Sequence, residues 1–233
     1  MTRKYGQDRL WPLAEGGGVT ILLATALLGA FMAVRLVWTN LLTNLLLILA
    51  IGLWLAVLWF FRDPKRRISA ETHVIVSPAD GQVVKISQEF EPQFLQAPAR
   101  RISIFLDVYH VHVQRIPFAG RVTRVQHQPG QFLQAFRPEA SDVNEHIAML
   151  VESESHGVYL VKQIAGIMAR RCVNYLRPGD TVPTGQRFGL IRFGSRVDLF
   201  LPLEADIIAS LGQRVYGGVT PIAQFKAGAA HEG

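Results

Sequence analysis

The sequence predicts a mainly β domain, closed as a barrel or sandwich, behind an N-terminal α-helical hairpin embedded in a membrane. Two long apolar runs lie before residue 61, short strand-like segments fill the remainder, and glycine and proline punctuate those segments throughout. A chain of 233 residues has room for one domain with an attached element. Hydrophobic residues make up 49% and charged residues 18%, a greasier balance than most soluble domains show, and the excess sits at the N-terminal end. The formal charge of +6 suits either nucleic acid or an anionic membrane surface. The position of the apolar runs decides for the membrane, and no nucleic-acid partner is expected.

From Val19 to Trp38 the chain is apolar apart from Arg35 and two threonines, and from Leu41 to Phe61 it carries no charge. Each run, at about 20 residues, is long enough to cross roughly 30 Å of hydrocarbon as a helix. Only Thr39-Asn40 separates them, so two spans would form a tight hairpin. A cleaved signal peptide fits less well, because the second run follows the first at once. Arg3, Lys4 and Arg9 precede the first run, and Arg62, Lys65, Arg66 and Arg67 follow the second. That bias puts both ends in the cytoplasm. Trp38, Trp54 and Trp59 suit the interfaces, whereas Arg35 and Asn44 weaken both runs, so a hairpin dipping into one leaflet stays open beside one that spans.

After Pro64 the pattern changes. Val74 to Val76, Gln82 to Ser87, Ile102 to Val108, Gly120 to Gln126, His156 to Gln163 and Gly189 to Leu201 read as strands. Arg137 to Val151 reads as a loop with a short helical turn, and Lys226 to Gly233 as a frayed tail. The expected division is residues 1–61 for the hairpin, 62–225 for the β domain and 226–233 for the tail. The single cysteine, Cys172, excludes an internal disulfide and reads as an ordinary buried side chain.

Three polar constellations could carry chemistry. Ser77-Pro78-Ala79-Asp80-Gly81 contains an Asp-Gly turn signal, in which Asp80 would cap its own backbone. Tyr109-His110-Val111-His112-Val113-Gln114-Arg115 follows an apolar strand, and continued alternation would put His110 and His112 on one face. Apart from Asp107 on the opposite face, no Cys, Asp or Glu at ligand spacing completes a metal site there, so a histidine acting as general base is the better functional reading. Gly194-Ser195 interrupts the last long strand, as a bulge or as a strained, exposed serine. Taken singly, each has an ordinary structural explanation.

Together, six ordered motifs change the odds: FFRDPKR from Phe60, SPADGQV from Ser77, ISIFLDVYHVHVQRIPFAG from Ile102, NEH from Asn144, QIAGIMARR from Gln163 and IRFGSRVDLFLP from Ile191. From about Phe60 onward the chain resembles the phosphatidylserine decarboxylases, specifically their short membrane-associated type. Two positions depart from the family pattern: Gln114 stands where Asn is usual, and His146 where Arg is usual, with a bearing on substrate contacts.

The resemblance implies a mainly β fold and a pyruvoyl cofactor made from Ser195 by self-cleavage between Gly194 and Ser195. It assigns His112 as the base, Asp80 as the orienting carboxylate and Ser195 as the nucleophile, with His110 or His112 returning a proton after decarboxylation. No metal is implied. The implied partners are phosphatidylserine and membrane lipid, and a large chain of residues 1–194 held to a small chain of residues 195–233; a homo-oligomer is left open. The expected location is the cell membrane with the catalytic domain on the cytoplasmic side, where Arg62, Arg66 and Arg67 would either attract anionic headgroups or serve as topology signals only. Other readings are a decarboxylase of a related serine lipid such as archaetidylserine, a membrane-anchored Ser-His-Asp hydrolase, and a non-catalytic membrane-tethered β module.

Overall fold

The computed structural model describes residues 13–68, 71, 73–137, 139–167, 172–191 and 194–226. Arg3, Lys4 and Arg9, the end of QIAGIMARR, Arg192-Phe193 and the tail beyond Lys226 lie outside the described residues. The chain divides into two compact units, one of residues 10–65 and one running from Arg66 to the C-terminus.

The first unit is a helical hairpin, α1 (Gly18–Val37) and α2 (Leu41–Phe60). The turn between them is built by sequence: the Asn40 side chain accepts from the Thr43 amide and the Thr43 hydroxyl accepts from the Asn40 amide, a reciprocal cap that starts α2. Arg35 Nε donates to Asn44 Oδ1, so the two polar residues that interrupt the apolar runs satisfy each other. Trp54 Nε1 donates to Thr25 Oγ1 at 3.0 Å across the pair. Both helices are long and apolar enough to cross a membrane, and none of the most apolar window of α1 is buried. Leu22, Leu23, Leu45 and Ile48 are all exposed. Leaving such side chains in water forfeits about 25 cal/mol for each Å² of apolar area, which a lipid environment restores.

The second unit is mainly β. In chain order its elements are β1 (Val74–Val76), β2 (Gly81–Glu91), β3 (Ala97–Leu106), β4 (Val113–Arg115), β5 (Gly120–Gln128), the short α3 (Ala140–Val143), β6 (His146–Ser153) and β7 (Gly157–Ile164). There follow β8 (Cys172–Asn174), β9 (Thr181–Val182), β10 (Arg187–Ile191), β11 (Ser195–Leu201), β12 (Asp206–Ile207), β13 (Arg214–Val215) and β14 (Pro221–Gln224). Among the described residues these form a curled sheet ordered β13-β2-β3-β11-β7-β6-β5-β9, and two smaller sheets, β4-β10-β8 and β1-β14-β12. Neighbouring strands are antiparallel throughout the large sheet.

Alternation along the strands sorts residues between two faces of the large sheet. Ile102, Ile104 and Leu106 of β3, Val197, Leu199 and Leu201 of β11, and Tyr159 and Val161 of β7 point to one face, where they share a core with Ile75, Phe188, Ile191 and Ile222 of the smaller sheets. Tyr159 keeps its hydroxyl satisfied inside that core by donating to the Phe118 carbonyl at 2.8 Å. The other face carries a second small cluster of Phe94, Ala99, Ala148, Leu160 and Phe200. Beside it lies a charged network. Asp198, fully buried, pairs with Arg101 at 2.6 Å and with Arg196 at 3.0 Å, and accepts from the Ser141 hydroxyl at 2.8 Å. Arg101 also reaches Glu89, and Lys162 reaches Glu91.

Two expectations are corrected here. Residues 137–151 hold the short helix α3 and also most of strand β6, which pairs along its whole length with β5 and β7. Six of its eight residues, all but Leu150 and Glu152, are buried, so both faces are covered and no alternation marks the strand in sequence. The run from Gly189 to Leu201 is two strands in different sheets, so Gly194-Ser195 marks a change of sheet, not a bulge within one strand. Cys172 is buried as expected, and burial pushes its thiol pKa up.

Three outcomes follow. Burial alone would raise the carboxyls of Asp198, Glu91 and Glu89; the arginines beside Asp198, the Phe94 and Leu95 amides with Lys162 at Glu91, and Lys85 and Arg101 at Glu89 reverse this and hold all three low, Glu89 at about 2. Carboxyls depressed by folding stabilise above their unfolded pKa, so this contribution is expected to be full above about pH 4.5 and to fade toward about pH 2, visible as falling melting temperature in acid. Replacing Asp198 by Ala leaves Arg101 and Arg196 buried without their shared partner, and chemical denaturation of the variant should show a loss of about 3–5 kcal/mol. For the hairpin, the protein should sediment with membranes and resist extraction by high salt or alkaline carbonate; release by salt alone would mean a peripheral attachment.

Candidate active site

Ser195 opens β11 and pairs with Leu106, the last residue of β3. Its parity with Val197 and Leu199 turns the side chain toward the core face. The residue is wholly buried, and among the described residues its Oγ has no hydrogen-bond partner. An unpaired buried hydroxyl costs about 1–3 kcal/mol, and such groups in a folded protein call for an explanation, often a catalytic one. The preceding residue, Gly194, has φ +57°, in the left-handed region. The space around its missing Cβ is open, so glycine is needed there for backbone conformation, not for room.

The Gly194 carbonyl meets a second glycine. A Cβ on Gly166 would lie 2.0 Å from the Gly194 oxygen and 3.4 Å from the Ala135 side chain. Only a residue without a side chain lets the segment after β7 lie against this carbonyl. That segment is pinned by Asn144, a buried side chain that donates to the carbonyls of Ala165 and Leu133 at 2.8 Å each and accepts from the Leu133 amide at 2.9 Å. Arg196, the neighbour of Ser195, donates to the carbonyls of Ala135 and Arg137 at 3.0 and 2.9 Å while paired with Asp198. Asn144 and Gly166 belong to the NEH and QIAGIMARR motifs, but nothing in the sequence assigned either a task; their role is a consequence of which loops meet.

Asp80 lies just before β2, in which Gln82 pairs with Phe105. Its carboxylate does not cap its own turn as expected. It accepts from Arg66 at 2.8 and 3.1 Å and from the Gly217 amide at 2.8 Å. Arg66 is therefore committed to Asp80 and is not available as a headgroup attractant. β3 lies between β2 and β11, so Asp80 and Ser195 are separated by roughly two strand spacings, about 10 Å, too far for direct contact.

The two histidines are not on one face of a strand, since β4 begins only at Val113 and residues 107–112 form a turn and a short connection. His112 is fully buried. Its carbonyl accepts from the Ile191 amide at 3.3 Å and from Gln114 Nε2 at 2.7 Å, and Gln114 in turn accepts from Gln163 at 2.9 Å. Gln114, one of the two departures from the family pattern, thus helps to seat His112. Arg115 N donates to the Pro78 carbonyl at 2.8 Å. The His112 segment is thereby tied on one side to the strand leading into Gly194 and on the other to the segment bearing Asp80.

His110 Nδ1 is 3.1 Å from the Asp107 amide and 3.0 Å from Asp107 Oδ1. One nitrogen cannot serve both at once: unprotonated it accepts from the amide, protonated it donates to the carboxylate. His146, the other departure, lies on the face of the sheet opposite Ser195, in one row with Ile164 and Arg196. Its Nδ1 is 2.9 Å from the Asn144 carbonyl, and its ring stands edge-on to Phe94. Burial lowers its pKa, which keeps it neutral. A cavity of about 480 Å³ also lies on that opposite face, where Lys85 and Arg101 pair with Glu89 and Lys162 pairs with Glu91 beside Glu139, Asp142 and Phe200.

The structure thus brings a buried serine behind a left-handed glycine, two histidines and a carboxylate to the same end of the sheet. The sequence profile of the family described as phosphatidylserine decarboxylase matches residues 53–223. The chain belongs to the phosphatidylserine decarboxylase family. The phosphatidylserine decarboxylase proenzyme of Carboxydothermus hydrogenoformans is 40% identical over 210 residues, covering 90% of this chain and 95% of that protein. The proenzymes of Syntrophus aciditrophicus and Salinibacter ruber are 42% and 45% identical over 181 and 182 residues, covering 74% and 77% of this chain and 85% and 80% of theirs. The decarboxylase family match begins inside α2 and takes in every residue of the site described above.

Proposed function

We propose that this chain is a membrane-anchored phosphatidylserine decarboxylase that matures by cutting itself between Gly194 and Ser195 and forms phosphatidylethanolamine and carbon dioxide with a pyruvoyl group derived from Ser195. The observation that carries this is a buried Ser195 Oγ, without a hydrogen-bond partner among the described residues, beside a Gly194 carbonyl held against Gly166.

Serine is a weak nucleophile until a base removes its proton. His112 takes that role, seated by Ile191 and Gln114; the family resemblance makes Asp80, here paired with Arg66 and the Gly217 amide, its orienting carboxylate. Ser195 Oγ adds to the Gly194 carbonyl carbon, the peptide C–N bond breaks, and the chain is briefly joined by an ester. Loss of the α-proton expels the Gly194 carboxylate and leaves a dehydroalanine at position 195, which water converts to a ketone with release of ammonia. Residues 1–194 and 195–233 then part covalently but stay paired, because β11 lies between β3 and β7, β13 beside β2 and β14 beside β1.

The enclosure fits the group: position 195 is buried, opens a strand hydrogen-bonded on both edges, and needs no polar partner for an oxygen that maturation removes from the hydroxyl state. When formed, the pyruvoyl group supplies an electron sink for the pair left behind as carbon dioxide departs. His110 returns a proton to the product, since it can carry one toward Asp107 or give it up to the amide arrangement without leaving its turn. The catalytic domain, residues 62–225, lies on the cytoplasmic side, the side favoured by Arg62, Lys65 and Arg67.

Intact mass measurement is expected to give two chains, 1–194 and 195–233, the shorter blocked to Edman sequencing by a ketone. Ser195→Ala should remain one full-length, folded chain. Gly166→Ala, which forces the segment after β7 away from the Gly194 carbonyl, should cut at least about tenfold more slowly. An active wild-type preparation in a single uncut chain without a carbonyl at position 195 would defeat the proposal and favour a hydrolase. Decarboxylation of a related serine lipid in preference to phosphatidylserine would move the substrate, not the chemistry.

The histidine roles separate by comparing maturation with turnover. His112→Ala and Asp80→Ala should block or slow cutting, whereas His110→Ala should cut normally and decarboxylate at least about 100-fold more slowly. Normal cutting in His112→Ala would show that another group is the base.

A further inference from the structure

The end of the large sheet at which Ser195 lies carries an apolar rim, and we infer that this rim inserts into the headgroup–acyl boundary of the bilayer, so that the lipid substrate enters the site without leaving the membrane. The inference rests on Ser195 being the reactive centre, as proposed above.

Antiparallel order puts the C-terminal ends of β3, β5 and β7 at the end where β11 begins. The connections leaving those strands hold Tyr109 at 73% exposure, Phe136 at 58%, Ile167 at 50%, Val108 at 38% and Phe132 at 36%. The loops at the other end of the same sheet, residues 92–96, 154–156 and 202–205, hold no exposed large apolar side chain. At that other end Phe90 and Val158 are exposed on the strands themselves; exposed apolar residues scattered singly need no explanation, but a set gathered on the connecting loops around the reactive residue does.

The rim is also held in shape. Asn144 ties the Leu133 and Ala165 backbones together, Arg196 holds the carbonyls of Ala135 and Arg137, and Phe136 meets Phe105 edge-on with ring centres 6.2 Å apart. These side chains are therefore presented outward by fixed loops instead of folding back onto the core. Arg137, exposed beside Phe136, adds a positive charge at the level of an anionic headgroup.

The occupant follows from the substrate. Only the serine headgroup reacts, at a position wholly buried behind the rim, while the two acyl chains gain nothing from entering water. Aromatic side chains at the lip of such a site are most stable where apolar and wet regions meet. A rim seated at that boundary brings the headgroup to the opening and leaves the chains in hydrocarbon.

The test compares one substrate chemistry in two physical states. Full-length wild type and Tyr109→Ser/Phe136→Ser/Ile167→Ser are assayed on phosphatidylserine in phosphatidylcholine vesicles and on a short-chain phosphatidylserine below its micelle concentration. The variant is expected to cut itself at the wild-type rate, to keep its rate on the monomeric lipid within about twofold, and to lose at least about tenfold on vesicles. Equal losses on both substrates, or no loss on vesicles, would overturn the inference. A variant that becomes monomeric by light scattering while its vesicle rate is unchanged would identify the rim as a contact between two copies of the chain and would equally overturn it. Should the triple variant fail to cut, Tyr109→Ser alone, at the most exposed position, is expected to show the same selective loss at smaller size, and its absence there counts against the rim. Failure of the wild type itself to cut at Gly194-Ser195 would strike the reading of Ser195, a result visible on the gel before any lipid is added.

Discussion

The position of Ser195 depends on β11 being hydrogen-bonded along both edges. Its register runs from Ser195 opposite Leu106 to Leu201 opposite Arg100 on β3, and from Arg196 opposite Ile164 to Phe200 opposite Leu160 on β7. A one-residue slip would turn Ser195 to the other face and bring Arg196 and Asp198 into the apolar core. The core face of β11, with Val197, Leu199 and Leu201 fully buried, opposes such a slip from one side. Asp198 opposes it from the other, since its pairing with Arg101 of β3 exists only in the observed register. Ser195 is thus placed by a strand whose two faces demand opposite chemistry.

Against this rigid strand stands one unusual joint. At Gly194 the chain leaves the sheet of β4, β10 and β8 and enters the large sheet, through a left-handed conformation that a residue with a side chain would hold at a cost of about 1–2 kcal/mol. Gly166 and Asn144 close over the carbonyl at that joint. The arrangement brings together at one peptide bond a left-handed glycine, a buried hydroxyl without a hydrogen-bond partner among the described residues, and close steric contact.

The same economy appears in the loops. Residues 131–137 both shield the Gly194 joint and present Phe132 and Phe136 outward, so the segment that closes the site on the inside shapes the surface through which a lipid would approach. His110 and Tyr109 are neighbours in the turn after β3, one turned to Asp107 and the other to the exterior. The proposed inner chemistry and outer docking would share short loops because antiparallel pairing delivers several strand ends to one place.

Sequence by itself determined the helical hairpin, since length and hydropathy are local properties and Asn40 and Thr43 build its turn from within four residues. It determined the mainly β character of the rest, and six ordered motifs marked Asp80, His110, His112 and the Gly194-Ser195 bond. Tertiary structure alone decided that β6 is a strand, because a segment covered on both faces shows no period, and that Gly194-Ser195 joins two sheets, because alternation continues on either side of the change. It alone placed Arg66 on Asp80, Gln114 under His112, and Gly166 against the Gly194 carbonyl. Those contacts join residues from 2 to 28 positions apart, and all but the shortest depend on which strands pair, a choice made by burial of the whole core and not by any segment of it.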